Sequence, residues 1–368
     1  MAFPYGDLAH NTLAGLDLRD ADLTGARLAG ANLAGVNLAR SVLFGADLSN
    51  ADLRRANLKR ADLRGARLRG ANLSSAEMAG CDLREGRIAL QDKLDGFHIL
   101  RHEHRAGELS EAMLAGANLA GAQMGGAQAL ASDFTDANLT AAMLAGAKQK
   151  GAVLDGADLS GADLGGADLS GASMRRAVLT GVNLRQARLD DADLTGVLRA
   201  PPAEVYVEER PLDVVLAEHE TYCDTGGARG RVTRLGGTDF RSLRNLDRRR
   251  LPGLIAPRSV FFGMSLEGGQ FQGADLSGSD FRGAVLRDAD LRGARFSMAL
   301  MSRVDLRGAR LSILSISETR FVQTDFSGAT LRGADLRGAH APRARFLGAQ
   351  LDGALLEGCD LAGAEFSR

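Results

Sequence analysis

Residues 155–174 read DGADLSGADLGGADLSGASM, four turns of one five-residue word with methionine in place of the last leucine. A period of five fits neither regular element. In an α-helix five residues advance about 500°, so Leu159, Leu164 and Leu169 would spiral round the axis and leave no apolar stripe. In one straight strand an odd period would flip successive leucines to opposite faces. The leucines share a side only if each word holds a short extended piece followed by a turn, so that the chain winds into a solenoid with leucine inward. Within a word, Ala157 and Leu159 are two residues apart and share the inner face. Asp158 points outward, and Ser160 with Gly161 makes the corner.

The word A(D/N)Lxx, in phase over about three quarters of the chain, closely resembles the pentapeptide-repeat family. The resemblance implies an all-β solenoid, a right-handed quadrilateral β-helix in which four words make one coil. The central leucine or phenylalanine and the preceding alanine would stack inside. The repeats fall into three blocks, 1–88, 108–196 and 256–368, separated by non-repeat insertions at 89–107 and 197–255. Central positions weaken at Ala129 and Gln149. In the third block phenylalanine takes the centre at Phe261, Phe271, Phe281, Phe296, Phe321, Phe326, Phe346 and Phe366, which predicts a wider core there.

Across 368 residues, 45 lysines and arginines meet 46 acids, so the net charge of −1 argues against a bulk polyanion or polycation binder. Any electrostatic role must be local. Tryptophan is absent and there are three tyrosines, too few for the stacking platforms usual in single-strand binders. The start, MAFPYGDLAHNTL, has no basic stretch followed by an apolar run, so a cytoplasmic protein that does not enter the membrane is the expectation. Cys81, Cys223 and Cys359 show no metal spacing; Cys81 and Cys359 fill the inward alanine place of their words.

In the first insertion the word disappears, and it resumes at Leu109 one residue out of phase. A projecting loop or a short helix bearing Leu90, Leu94, Phe97 and Leu100 is expected. His98 and His102, with His104 and Glu103 beside them, would share a helix face suited to zinc, but no second ligand pair accompanies them and no metal is expected. In the second insertion Pro201 and Pro202 end the coil. The run RPLDVVLAEHETYC, residues 210–223, then reads as an amphipathic helix over 211–223, with Leu212, Val215, Leu216, His219 and Tyr222 on one side. The following DTGGARG stops it. A helix here suits a cap, since a bare coil exposes unpaired edges. Outward Val260, Phe262, Leu300 and Val322 offer an apolar side that would serve as a second self-association surface or receive that helix. His219, Glu220 and Cys223 have the look of reactive groups, yet no matching base or oxyanion arrangement is readable.

Three charged clusters stand out. Arg54, Lys59, Arg64 and Arg69 each follow a central leucine in consecutive words and should ring one coil, either as solvated surface or as contacts to an acidic partner. Asp155, Asp158, Asp163 and Asp168 have no base nearer than Lys150 and Arg175; they are either ordinary members of the word or an imitation of DNA phosphates. Arg248, Arg249 and Arg250 close the most basic stretch, which is either a solvated cap or a contact for nucleic acid or an acidic protein surface. The expected function is a non-enzymatic scaffold for protein–protein contact, without cofactor, metal or small-molecule substrate. Family resemblance adds an alternative, a DNA mimic acting on DNA gyrase or another topoisomerase, and a homodimer through the C-terminal coil at Leu361 and Phe366.

Overall fold

A computed structural model describes residues 2–94 and 97–367, which fall into two compact units, one ending at Ala200 and one beginning at Pro201. Each unit is a four-sided coil. Parallel bridges join Asp22 to Val42 and Val42 to Asp62 on one side, and Asp17 to Asn37 and Asn37 to Asn57 on another, so the chain returns to a side every twenty residues. Leu28 N donates to Asp47 O at 2.7 Å, and Asp47 N donates to Ala26 O at 2.9 Å. The corner closes where Ala31 N donates to Leu28 O at 3.1 Å. Its third residue, Gly30, takes a φ of 64°, where a side chain would be strained. Because a side pairs through one residue before the chain turns, the ladder consists of isolated bridges rather than long strands.

The second residue of the word acts at that corner. Asp47 Oδ1 accepts from Ser49 N at 3.1 Å and from Ser49 Oγ at 2.6 Å, and Asp158 does the same for Ser160 at 3.0 and 2.6 Å. A short carboxylate or amide there satisfies a turn N–H that has no partner along the ladder. Inside, Ala26, Leu28, Ala31 and Leu33 are fully buried, and the column continues through the first unit.

The first insertion is neither loop nor helix. It is an antiparallel hairpin of β1 (Gly86–Leu94) and β2 (Phe97–Arg105), with Gly86 opposite Arg105. The coil carries on past it: Arg67 is bridged to Glu108 and Asp82 to Gln123, so the repeats on either side belong to one ladder.

The first ladder ends at Leu198. A short antiparallel pair, β3 (Tyr206–Val207) and β4 (Arg210–Pro211), leads into α1 (Leu212–Asp224). Leu212, Val215, Leu216 and His219 are buried, whereas Tyr222 stays exposed beside Gly227. The ladder resumes at Arg234, bridged to Ile255, and at Asp239, bridged to Val260. Coil thus begins inside the stretch 197–255 that lacks a readable period. The reason is one extra residue, accommodated by a 3₁₀ turn at Phe240–Ser242, that breaks the count of five.

A third interruption is invisible to the period. Arg295 bridges Asp325 and Leu300 bridges Thr330, thirty residues apart rather than twenty. The additional ten residues carry β5 (Leu314–Ser315) and β6 (Phe321–Val322), an antiparallel pair. Ten residues are two words, so the phase of the centres is unchanged across them. Phe321, expected inside, is therefore 51% exposed, and Val322 lies on the hairpin rather than beside Val260, Phe262 and Leu300. The true aromatic core is a stack. Phe240, Phe261 and Phe281 lie face to face on one side at 4.3 and 4.5 Å. Phe281 meets Phe296 edge-on at 5.5 Å, and stacking continues on the next side through Phe326, Phe346 and Phe366 at 5.1 to 5.2 Å. The chain closes with β7 (Arg345–Phe346) paired in parallel with β8 (Glu365–Phe366), and Phe366 is 43% exposed.

Candidate functional site

The basic ring of Arg54, Lys59, Arg64 and Arg69 encircles one coil, because words five residues apart occupy successive sides of a twenty-residue turn. Each member holds a carboxylate. Arg54 Nη2 lies 2.6 Å from Asp52, Lys59 Nζ 3.2 Å from Glu77, Arg64 Nη2 2.7 Å from Asp62, and Arg69 Nη2 2.6 Å from Glu111. Arg64 also covers the ring of Phe44, 5.5 Å from its centroid. The acids that neutralise Lys59 and Arg69 come from the following coil, out of reach in sequence.

The same geometry disperses the four aspartates. Asp158 is bridged to Asn138, Asp163 to Met143 and Asp168 to Lys148, three different sides of the coil, with Asp155 at the corner before Asp158. They form a ring, not a face. Asp155 accepts from Arg175 N at 2.9 Å, Asp163 from Gly165 N at 3.0 Å and Asn183 Nδ2 at 2.7 Å, and Asp168 from Ser170 Oγ at 2.6 Å with Arg188 Nη1 at 3.5 Å. The Ser170 hydroxyl and backbone N–H, with Arg188 further off, hold Asp168 below the usual carboxylate range.

Charge also alternates along single columns. Asp7, Arg27, Asp47, Arg67 and Glu108 follow one another on one side of the first unit. Asp275, Arg295, Asp325, Arg345 and Glu365 do so in the second, with Arg295 3.5 Å from Asp275 and Arg345 3.1 Å from Glu365. Neighbouring coils are about 4.8 Å apart, so opposite signs on these two columns cancel within a Debye length.

The basic stretch after α1 is mostly a clamp. Arg249 Nε donates to Glu220 Oε1 at 2.7 Å, Arg250 N to the same oxygen at 3.0 Å, and Arg250 also pairs with Asp224. Arg231 bonds Glu208 and Glu218, and Arg210 bonds Glu218. His219 Nε2 lies 3.0 Å from Pro252 O, and Cys223 Sγ donates to that oxygen at 3.6 Å. His219, Glu220 and Cys223 therefore fasten the helix to the residues 249–252 of the first coil, not to the side carrying Val260 and Phe262. Arg248 stays exposed at a corner.

Burial pushes the Cys81 thiol up to about 12, which keeps it an inert packing group. His104 Nδ1 is 2.7 Å from Glu85 Oε1; the side chains of His98 and His102 lie outside the described residues. Among the described residues no group of three or more histidines, cysteines or acids could hold a metal ion, and no helix is long and apolar enough to cross a membrane. Leu361 is half-buried, and Phe366 rests on Phe346 at 5.2 Å. Sequence reasoning missed the hairpin between Ser312 and Gln323. Its signal was the absence of any alanine, aspartate or glycine over SILSISETRFVQ.

Comparison with solved structures finds HetL, a pentapeptide repeat protein involved in heterocyst differentiation regulation from the cyanobacterium Nostoc sp. strain PCC 7120, at 32% identity over 53% of this chain and 81% of that one, with a TM-score of 0.28. Rfr23 from the cyanobacterium Cyanothece 51142 is similar at 27% identity, over 33% and 90% of the two chains, with a TM-score of 0.26. QnrB1, a plasmid-mediated fluoroquinolone resistance protein, is similar at 18% identity, over 54% and 93%, with a TM-score of 0.18. No curated protein sequence matches. The family described as "Pentapeptide repeats" matches in eight copies, over residues 7–38, 21–60, 51–86, 132–171, 157–196, 270–308, 305–340 and 319–358. Those copies span more than half of the chain, and proteins of that family fold as right-handed quadrilateral β-helices and generally serve structural or interaction roles. With its word, its four-sided ladder and that match, this chain belongs to the pentapeptide-repeat family.

Proposed function

We propose that this protein is a non-enzymatic scaffold for protein–protein contact. The observation that carries the reading is the construction of the surface. A ladder of backbone hydrogen bonds fixes every outward position, most charges are neutralised by neighbours along it, and hairpins project from it. Such a surface suits a macromolecular partner better than the turnover of a small substrate. The groups with the look of an active site, His219, Glu220 and Cys223, are engaged in fastening α1. A cytoplasmic setting belongs to the same proposal, supported by three free thiols of the kind a reducing compartment maintains; cell fractionation tests it. Chemical cross-linking in the native cell followed by size exclusion should recover a stoichiometric complex with another protein. If only free chain is recovered, the scaffold reading fails.

The second reading, a DNA mimic acting on gyrase or another topoisomerase, needs a continuous acidic face. Asp155, Asp158, Asp163 and Asp168 ring a coil instead, and Asp168 sits in its column between Lys148 and Arg188, so the geometry favours the first reading. Inhibition of gyrase supercoiling by the purified protein, relieved by changing all four aspartates to asparagine, would reinstate the second. For self-association the sequence points to the C-terminal coil at Leu361 and Phe366.

A further inference from the structure

We infer that the first unit encloses a binding site for water, held by the Gln149 amide in the space beside Ala129, a site independent of the scaffold reading.

One inward column runs Leu28, Leu48, Leu68, Leu109, Ala129, Gln149 and Leu169, one residue from each coil, behind the bridges that join Arg27 through Asp47, Arg67, Glu108, Gln128 and Lys148 to Asp168. The ladder is unbroken where the leucines stop. Leu109 N donates to Gln128 O at 2.7 Å, Ala129 N to Lys148 O at 2.8 Å and Gln149 N to Asp168 O at 2.8 Å. A slip of one residue would turn Gln149 to solvent, but the register holds, and its side chain is fully buried.

Two features coincide at this level of the coil. The first is room: an alanine and a glutamine together carry about two side-chain heavy atoms fewer than two leucines, which leaves space on the order of one or two waters. The second is polarity. Nε2 and Oε1 of Gln149 are both buried and have no hydrogen-bond partner among the described residues. Ser132, one corner beyond Ala129 in the same coil, is fully buried as well; its hydroxyl donates to Leu109 O at 2.6 Å and keeps lone pairs with which to accept.

An apolar space inside a protein stays dry, whereas a polar one of this size fills, because water needs two to four partners and here finds a donor and an acceptor on Gln149 and a further acceptor on Ser132. Leaving both ends of a buried amide unmet costs more than immobilising a water. Buried hydroxyls elsewhere need no such bridge. Ser259 and Ser279 reach the carbonyls of Leu235 and Ala256 directly, at 2.8 and 3.0 Å.

Two measurements on the full chain test the site. A crystal structure at about 1.5 Å should show ordered water bonded to the Gln149 amide. Thermal midpoints supply a sign. Ala129→Leu displaces the water and strands the amide, so the midpoint should fall by about 2 °C or more. Gln149→Leu removes the amide and its water together, and in that background the same Ala129→Leu completes a leucine column and should raise the midpoint by about 2 °C or more. A fall in both backgrounds would mean crowding and overturns the inference. A rise with Ala129→Leu alone would mean a dry space and overturns it too. So does a parent crystal in which the Gln149 amide bonds protein directly, a result that decides the matter even where a variant fails to fold. Neither measurement involves a partner, so the scaffold reading keeps its own test.

Discussion

Glu220 and Arg249, twenty-nine positions apart in sequence, are joined by a 2.7 Å hydrogen bond from Arg249 Nε to Glu220 Oε1, and the same oxygen accepts the backbone N–H of Arg250 at 3.0 Å. One carboxylate thus holds the cap helix to the first coil of the second unit by a side chain and by main chain at once. Glu220→Ala removes the acceptor of both bonds and should lower stability by about 1 to 3 kcal/mol. Denaturant unfolding of the second unit measures it; an unchanged midpoint would mean that the apolar contacts of Leu212, Val215 and Leu216 alone dock the helix.

Gln149 lies fully buried in an inward column, and neither end of its amide has a hydrogen-bond partner among the described residues. Gln149→Leu supplies the side chain that the column carries at Leu109 and Leu169 and removes two unsatisfied groups. It should raise stability by about 1 to 3 kcal/mol, seen as a higher thermal midpoint.

Two phenylalanines five residues apart should behave as opposites. Phe326, stacked between Phe296 and Phe346, should cost about 3 to 5 kcal/mol when changed to alanine. Phe321→Ala on the hairpin should change stability by no more than about 0.5 kcal/mol. Comparable losses at both sites would contradict the thirty-residue coil.

Acid should act late. The side-chain bonds of Arg54 and Arg337 hold Asp52 and Asp335 below the ordinary carboxylate value of 3.8, and the Thr195 hydroxyl, followed by Arg175, brings Asp193 down to about 2. In the unfolded chain these groups regain their ordinary values, so the unfolded state binds protons first as pH falls. Their contribution is complete above about pH 4 and is lost on the way to about pH 2. Thermal midpoints followed by circular dichroism should be level from about pH 7 to 5 and drop steeply below about 4.

The sequence discloses the coil because its rule is local. Leu23, Leu28 and Leu33 recur at five, and no element other than a turning ladder can bury them together. The helix 212–224 was legible too, through Pro211 and the spacing of Leu212, Val215, Leu216 and His219. What stayed hidden depends on chain brought together across coils. Lys59 finds Glu77 and Arg69 finds Glu111 only once coils stack, so a basic ring read from neighbours in sequence looks free when it is paired. The first hairpin announced itself as a gap, but its apolar residues fit a short helix equally well. Phe240 was missed because the 3₁₀ turn after it shifts the count by one.

The ten residues between Ser312 and Gln323 show that a solenoid of this kind is read in frame. Added chain whose length is a multiple of five lets every later leucine fall inward as before, so an appendage can be gained or lost without editing a single core position downstream. The segment at β1 and β2 is of the other kind: after it the frame is displaced by one, and the ladder is rejoined across a paired hairpin. In-frame growth is open to any corner of the coil, whereas out-of-frame growth demands a structure of its own, and that asymmetry sets where such a protein can acquire new surfaces.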